Sequence, residues 1–220
     1  MTIKVYGTKQ STCSQRVYLA LHEKEIYDYH IVHVDLLKGE HKRPEFLKMQ
    51  PFAKIPVYQD EEVTIFESRA IVRYIAEKFK DKGTTTLYGR NLKEKGLVEQ
   101  WVEVESQNYN PPVDVIVHEE YLNPKYWGAT KPNEQVVQEN VSKLEKVLDV
   151  YEAHLSKNKY LAGDFYSIAD LVHIPYTYFL IKYTTKGHVI TSRKHVKAWF
   201  DDICARKSWQ KIVKEYLNES

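Results

Sequence analysis

Strand-type alternation is confined to the first part of this 220-residue chain, and beyond Thr86 the apolar residues recur only at helical spacing. That change of period most limits the fold. Ile3-Lys4-Val5-Tyr6 reads as a buried first strand, and Val17, Ala20 and Leu21 as the apolar face of a helix. Tyr29 to Val34 alternates as a second strand, so the three elements form a right-handed βαβ unit with parallel pairing. Pro44 is placed to open a short helix carrying Phe46 and Leu47. Pro51 and Pro56 exclude a central strand at their own positions, whereas Pro56 suits the first residue of a strand, with Ile55–Pro56 expected cis. Asp60-Glu61-Glu62 turns a hairpin into a returning strand, Val63 to Phe66. A further helix follows, with Ser68 as N-cap and Ile71, Tyr74, Ile75 and Phe79 on one face.

The first eighty residues therefore read βαβαββα, an α/β unit of thioredoxin-like size. Asp81 to Thr86 is polar and Gly-bearing, and it sets the expected division: a domain over 1–80, a linker over 81–90 and an all-helical domain over 91–220. In that second part Leu97, Trp101, Val104 and Asn108 lie along a long helix that Pro111-Pro112 should kink or end. Val137, Val141, Leu144, Leu148, Tyr151 and Leu155 make an apolar stripe best explained by core packing. Ser167 and Asp170 have capping-box spacing, which accounts for Asp170 without a catalytic role. Helices around Val196 to Phe200 with Ile203, and around Trp209, Ile212, Val213 and Tyr216, close the chain.

Charge and cysteine usage exclude several function classes. The 32 basic and 30 acidic residues are interspersed, so no patch calls for nucleic acid or an anionic membrane. Cys13 and Cys204 are too few and too distant in sequence for a disulfide framework or a metal site, and they fit a reducing compartment. With the first strand starting so near Met1 there is no room for a signal peptide, and no apolar run is long enough to span a bilayer. A cytoplasmic location is expected. Seventeen tyrosines and four tryptophans are enough for both a core and an apolar ligand pocket.

The chemistry concentrates in Gln10-Ser11-Thr12-Cys13-Ser14-Gln15-Arg16-Val17, a hydroxyl- and thiol-rich turn between a strand end and a helix start. Free N–H groups and the helix dipole there favour a thiolate or carboxylate, although a serine before a helix also serves as a plain cap. Ser68 is open to the same two readings. Cys204, within an apolar run, reads as a buried small side chain.

Three stretches then coincide: Ser11 to Arg16 after strand one, Lys54-Ile55-Pro56 before strand three, and Phe66-Glu67-Ser68-Arg69-Ala70-Ile71 at the third helix. With Ser167-Ile168-Ala169-Asp170 in a helical second half, this ordered set resembles a glutathione transferase over essentially the whole chain. Gly39 to Lys42 with Pro44 to Leu47, Phe66 to Ile71, and Leu87-Tyr88-Gly89 resemble the phi class of plants. The resemblance implies a thioredoxin-like domain followed by an all-α domain. It implies glutathione as co-substrate, no permanently bound cofactor and no metal. The implied activity joins the glutathione thiolate to hydrophobic electrophiles, or uses it to reduce peroxides.

By the same resemblance Ser11 stands at the catalytic position, and His41 and Lys42 hold the glycine carboxylate. Lys54 and Ile55 pair with the cysteinyl backbone beside Pro56, and Glu67 and Ser68 grip the γ-glutamyl end. Thr12, Leu36, Val115, His118, Glu119 and Tyr178 are the candidates for the hydrophobic-substrate site. A homodimer is implied, with an aromatic knob near Phe52. The sequence departs from the phi pattern at Ala53-Lys54-Ile55, where Gly-Gln-Val is usual, and at Lys9-Gln10-Ser11-Thr12-Cys13, where Pro-x-Ser-Thr-Ala is usual. Cys13 resembles relatives that carry flavonoid pigments, so a weakly catalytic carrier of aromatic metabolites is the alternative function. In Cys-type relatives the cysteine stands four residues before the Gln of a Gln-Arg pair. Four before Gln15 is Ser11, and Cys13 falls two residues late. Ser11 has no base beside it in the motif, so its expected role is to donate a hydrogen bond to the glutathione sulfur.

Overall fold

The computed structural model describes residues 2–217; residues 1 and 218–220, which the expected domain bounds include, lie outside the described part. The chain divides into two compact units. One gathers the residues up to Tyr88 together with those from Arg206 on, and the other runs from Gly89 to Ala205.

In the first unit β1 (Ile3–Gly7) leads to α1 (Thr12–Glu23), and β2 (Tyr29–His33) to a 3-10 turn at Glu40–Lys42 and the short α2 (Pro44–Leu47). Next come β3 (Val57–Gln59), β4 (Thr64–Phe66) and α3 (Ser68–Lys78). The described strands form one sheet in the order β2-β1-β3-β4, parallel between β1 and β2 and antiparallel elsewhere. Ile55–Pro56 is cis. β4 starts one residue later than expected because Val63 belongs to the turn, where its N–H donates to Asp60 Oδ1 at 3.0 Å. Asp60 also accepts from Tyr58 Oη at 2.9 Å, Tyr74 Oη at 3.2 Å and Lys78 Nζ at 2.7 Å, tying the hairpin to α3. Tyr74 is thereby turned off the core face, which consists of Ile71, Val72, Ile75 and Ala76.

Nearly every residue of α1 is buried, polar ones included, because α3 and α12 (Lys207–Tyr216) both pack against it. α12 contributes buried Trp209, Ile212 and Tyr216, while Val213 is half-buried. The sequence reading places this helix with the second domain; the contacts place it with the first. Glu23, at the end of α1 and 3 % exposed in its side chain, ties the start of this helix there. It accepts from Arg206 Nε at 2.7 Å, Arg206 Nη2 at 2.6 Å and Thr84 Oγ1 at 2.6 Å, and also from Ser208 Oγ.

The second unit is helical. α4 (Leu92–Val104) passes through a π-helical turn (Glu105–Tyr109) into α5 (Asn110–Val117), and a second π turn (His118–Leu122) leads into α6 (Asn123–Tyr126). The helix therefore runs on past Pro111-Pro112. A proline lacks an N–H and clashes with the carbonyl four residues back, and a wider turn just before it relieves both defects. The buried stripe is Val98, Trp101, Val102, Glu105 and Tyr109; the expected Leu97 and Asn108 are exposed and Val104 half-buried.

α7 (Glu134–Leu155) buries all six expected stripe residues. α8 (Ile168–Leu171) opens on the expected capping box. α9 (Ile174–Tyr183), α10 (His188–Thr191) and α11 (Lys194–Cys204) follow; Cys204 keeps some exposed surface, and burial raises the pKa of its thiol.

Candidate functional site

Strand register brings the candidate segments of the first unit to one edge of its sheet. Gly7 pairs with His33, Tyr6 with Val57, and Val57 with Phe66. The end of β1, the end of β2, the start of β3 and the end of β4 are therefore side by side. Ser11 follows the first of these ends, and the 3-10 turn with His41 and Lys42 belongs to the segment after the second. Lys54, Ile55 and Pro56 precede the third, and Glu67 and Ser68 follow the fourth. Carboxyl ends of parallel strands and the helix starts beyond them are where α/β sheets bind ligands.

Ser11 is the N-cap of α1. Its Oγ accepts from the Ser14 N–H at 3.3 Å, and its own N–H donates to Thr8 Oγ1 at 3.1 Å. The capping and functional readings are thus compatible, because a hydroxyl that caps by accepting keeps its proton for a ligand. Cys13 is half-buried two residues further on, with Arg16 Nη1 3.7 Å from its Sγ. Gly7 makes this close approach of α1 to the strand end feasible: a Cβ there would lie 2.4 Å from Ser14 Oγ.

At α3 the N-cap position is Glu67, with φ 68° and no capping hydrogen bond, so Ser68 is the first helical residue and not the expected cap. Ser68 is 5 % exposed. A non-glycine residue at such a φ is held against its own preference, at a strain on the order of 1–3 kcal/mol, and such residues cluster at functional sites. Ala53, with φ 54°, is a second one on the same sheet edge. His41 carries an orphaned group, since its Nδ1 is buried with no hydrogen-bond partner. Burial, aided by the Lys42 charge, lowers the His41 pKa below its ordinary value. Lys42, Lys54 and Glu67 are exposed, whereas Ile55 is half-buried.

Two residues that sequence reasoning missed hold these segments. Gln50, 1 % exposed, accepts with Oε1 from the N–H of Phe52 at 2.6 Å and of Lys54 at 3.3 Å. Thr8 anchors Ser11. Only the polar Gln50 beside Pro51, just before the proline-rich stretch, offered a signal in sequence.

The hydrophobic-site candidates are divided between the units. Thr12 is buried at the start of α1, and Leu36 packs on Val34 and Phe46 in the first unit. In the second unit Val115 and Tyr178 are half-buried, on α5 and α9. His118 stacks on Trp127 with ring centroids 6.0 Å apart and has Nε2 3.6 Å from Asp114 Oδ1. Glu119 Oε2 accepts from the Asn133 N–H at 2.8 Å, which commits it to the segment that opens α7.

Comparison with known proteins assigns the class. Residues 1–77 match the glutathione S-transferase N-terminal domain family and residues 114–207 the C-terminal domain family. The chain belongs to the glutathione S-transferases, and the Arabidopsis and rice relatives it matches at 40–47 % identity over nearly its full length are of the phi class. It is 47 % identical over 216 residues to glutathione S-transferase F10 of Arabidopsis thaliana, covering 98 % of each chain. Glutathione transferase F2 of Populus trichocarpa superposes with a TM-score of 0.94 at 41 % identity, covering 99 % of this chain and 100 % of the other. Glutathione S-transferase I of maize, solved with an atrazine glutathione conjugate, has a TM-score of 0.88 at 39 % identity and 99 % coverage of both chains. The N-terminal part of the first unit thus has the thioredoxin-like fold, and the helical C-terminal domain follows that part.

Proposed function

We propose that the chain conjugates the glutathione thiolate to hydrophobic electrophiles, using glutathione as co-substrate, with Ser11 as the residue that holds the thiolate. The convergence of the four segments at one sheet edge carries this reading. Glutathione presents two carboxylates, an ammonium and a thiol. The edge offers Lys42, Lys54 and the orphaned His41 Nδ1, the exposed carboxylate of Glu67, and a helix start with an uncommitted serine proton. The maize relative solved with an atrazine glutathione conjugate supports a hydrophobic acceptor.

Ser11 would donate to the sulfur while the first-turn N–H groups and the dipole of α1 favour its negative charge. No general base is needed, because the nucleophile is the thiolate itself. Peroxide reduction would use the same thiolate. Neither cysteine is in a disulfide, which fits a cytoplasmic setting. Phe52, 66 % exposed and edge-on to Phe66 at 6.1 Å, is the knob expected to join two copies, checked by the sedimented mass.

Conjugation of glutathione to a chloronitrobenzene tests the reading. Loss of a hydrogen bond to a charged sulfur should reduce kcat/KM in Ser11→Ala by roughly 10- to 100-fold, with Cys13→Ser near wild type. Loss confined to Cys13→Ser would replace this reading with thiol exchange. A carrier of flavonoid-like ligands is the second reading, supported by Cys13 and by the second unit's aromatic cluster, where Tyr121 and Tyr183 stack at 4.4 Å and Trp127 is 54 % exposed. Glutathione binding without conjugation would favour it.

A further inference from the structure

Lys9, two residues before Ser11, is met from the far end of the chain, and Thr8 is held from α1. Tyr216, at the end of α12 and 8 % exposed, donates or accepts at Tyr29 Oη over 2.6 Å and stands edge-on to Tyr18 at 5.3 Å and 86°. The Lys9 ammonium sits 5.1 Å from the centre of the Tyr216 ring. Tyr18, fully buried, donates from Oη toward the Thr8 carbonyl at 3.5 Å, and Gln15 Nε2 donates to the Lys9 carbonyl at 2.9 Å. Thr8 in turn accepts the Ser11 N–H on both its Oγ1 and its carbonyl, at 3.1 and 3.3 Å.

The turn 8–11 is therefore held between α1 and an aromatic wall that α12 completes. Lys9, which stands where the phi pattern has proline, is the residue that meets Tyr216. The matched C-terminal domain family ends at residue 207, so it does not extend over Tyr216.

We infer that Tyr216 is a positioning residue for Ser11, acting through Lys9 and Tyr18. This rests on the reading that Ser11 holds the glutathione thiolate. An ammonium over a ring and an edge-to-face ring pair each fix direction as well as distance. Removal of the ring frees Lys9 and uncovers Tyr18, and the Ser11 hydroxyl loses its fixed aim at the sulfur. The groups that hold glutathione elsewhere on the edge are untouched. The charged side chains near Ser11 are Lys9 on the turn and Arg16 on α1, the latter engaged with Cys13.

The experiment is the pH profile of kcat/KM for chloronitrobenzene conjugation, with the ultraviolet thiolate absorbance of bound glutathione, in Tyr216→Leu, Tyr216→Phe, Lys9→Met and Ser11→Ala. Tyr216→Leu should move the acid limb upward by about half a unit, a roughly threefold loss of kcat/KM on that limb, with KM for glutathione unchanged. Tyr216→Phe keeps the ring and should restore most of the wild-type profile. Lys9→Met, a change at an exposed side chain, should move the limb in the same direction by less. In a Ser11→Ala background Tyr216→Leu should cause no further shift. If Ser11→Ala shifts the profile and neither Tyr216→Leu nor Lys9→Met does, the inference is overturned. If Ser11→Ala itself leaves the profile unmoved, the reading of Ser11 fails instead. Should Tyr216→Leu not fold, Lys9→Met decides alone.

Discussion

At the scale of single residues the first unit shows how burial fixes protonation. His22 is 4 % exposed, and its Nε2 lies 2.9 Å from Tyr29 Oη. Burial, aided by the nearby Lys211 charge, lowers its pKa to about 4. The unfolded chain takes up a proton near the ordinary 6.5, whereas the folded chain refuses it until about 4. The neutral imidazole thus contributes stability that is complete above pH 6.5 and lost as pH falls toward 4, an effect of about 3 kcal/mol. His22→Gln should show a shallower acid decline in urea unfolding free energy across that window. A decline as steep as wild type would mean that other groups govern it. No sequence signal distinguished His22 from the chain's other histidines, because its partners Tyr29 and Tyr216 are brought to it by the fold. The Ser11 turn was legible, since its neighbours in space are mostly its neighbours in sequence.

At the scale of elements the local signals held where the controlling contacts are short-range and failed where they are not. The α7 stripe and the α8 capping box are local and appear as expected, whereas Glu67, with positive φ just after β4, takes the cap position expected of Ser68. The capping box also does more than its spacing indicates. Asp170, fully buried, accepts from the Ser167 N–H at 3.0 Å, the Leu161 N–H at 3.0 Å and Trp199 Nε1 at 2.9 Å, joining three segments of the second unit. Burial raises its pKa to about 6 against the opposing pull of those donors. The folded chain therefore holds this proton more tightly than the unfolded one. The associated stability is greatest below the ordinary 3.8 and falls by about 3 kcal/mol as pH rises to 6. Asp170→Asn should remove that pH-dependent loss, read as the difference in unfolding free energy from wild type at pH 4 and pH 7. Asp170→Ala, which strands these donors and the Ser167 hydroxyl that also donates to Asp170, should destabilise by roughly 2–4 kcal/mol at neutral pH. An equal offset for Asp170→Asn at both pH values would exclude titration of this group.

At the scale of the whole molecule, alternation in the first eighty residues marks the sheet unit, but no sequence pattern shows that the chain returns to that unit. Helical spacing says that α12 is amphipathic and not what its apolar face covers. The deciding contact, between Glu23 and Arg206, joins residues 183 positions apart. Burial raises the Glu23 pKa, yet hydrogen bonds and charge from Arg206, with Ser208 and Thr84, more than offset that and hold it below the ordinary value. One carboxylate thus fastens both the segment that leaves the first unit near Thr84 and the segment that re-enters it at Arg206. Breaking a buried pair on one side leaves an uncompensated charge, so Arg206→Met should destabilise by about 3–5 kcal/mol. Arg206 is still 29 % exposed, which places the effect toward the lower end of that range. The double variant Glu23→Gln with Arg206→Met removes both charges and should lose less than the sum of the two single changes, by roughly 1–3 kcal/mol in a double-mutant cycle. Additive losses would mean that Glu23 and Arg206 act separately, and that α12 is retained on α1 by Trp209, Ile212 and Tyr216 alone.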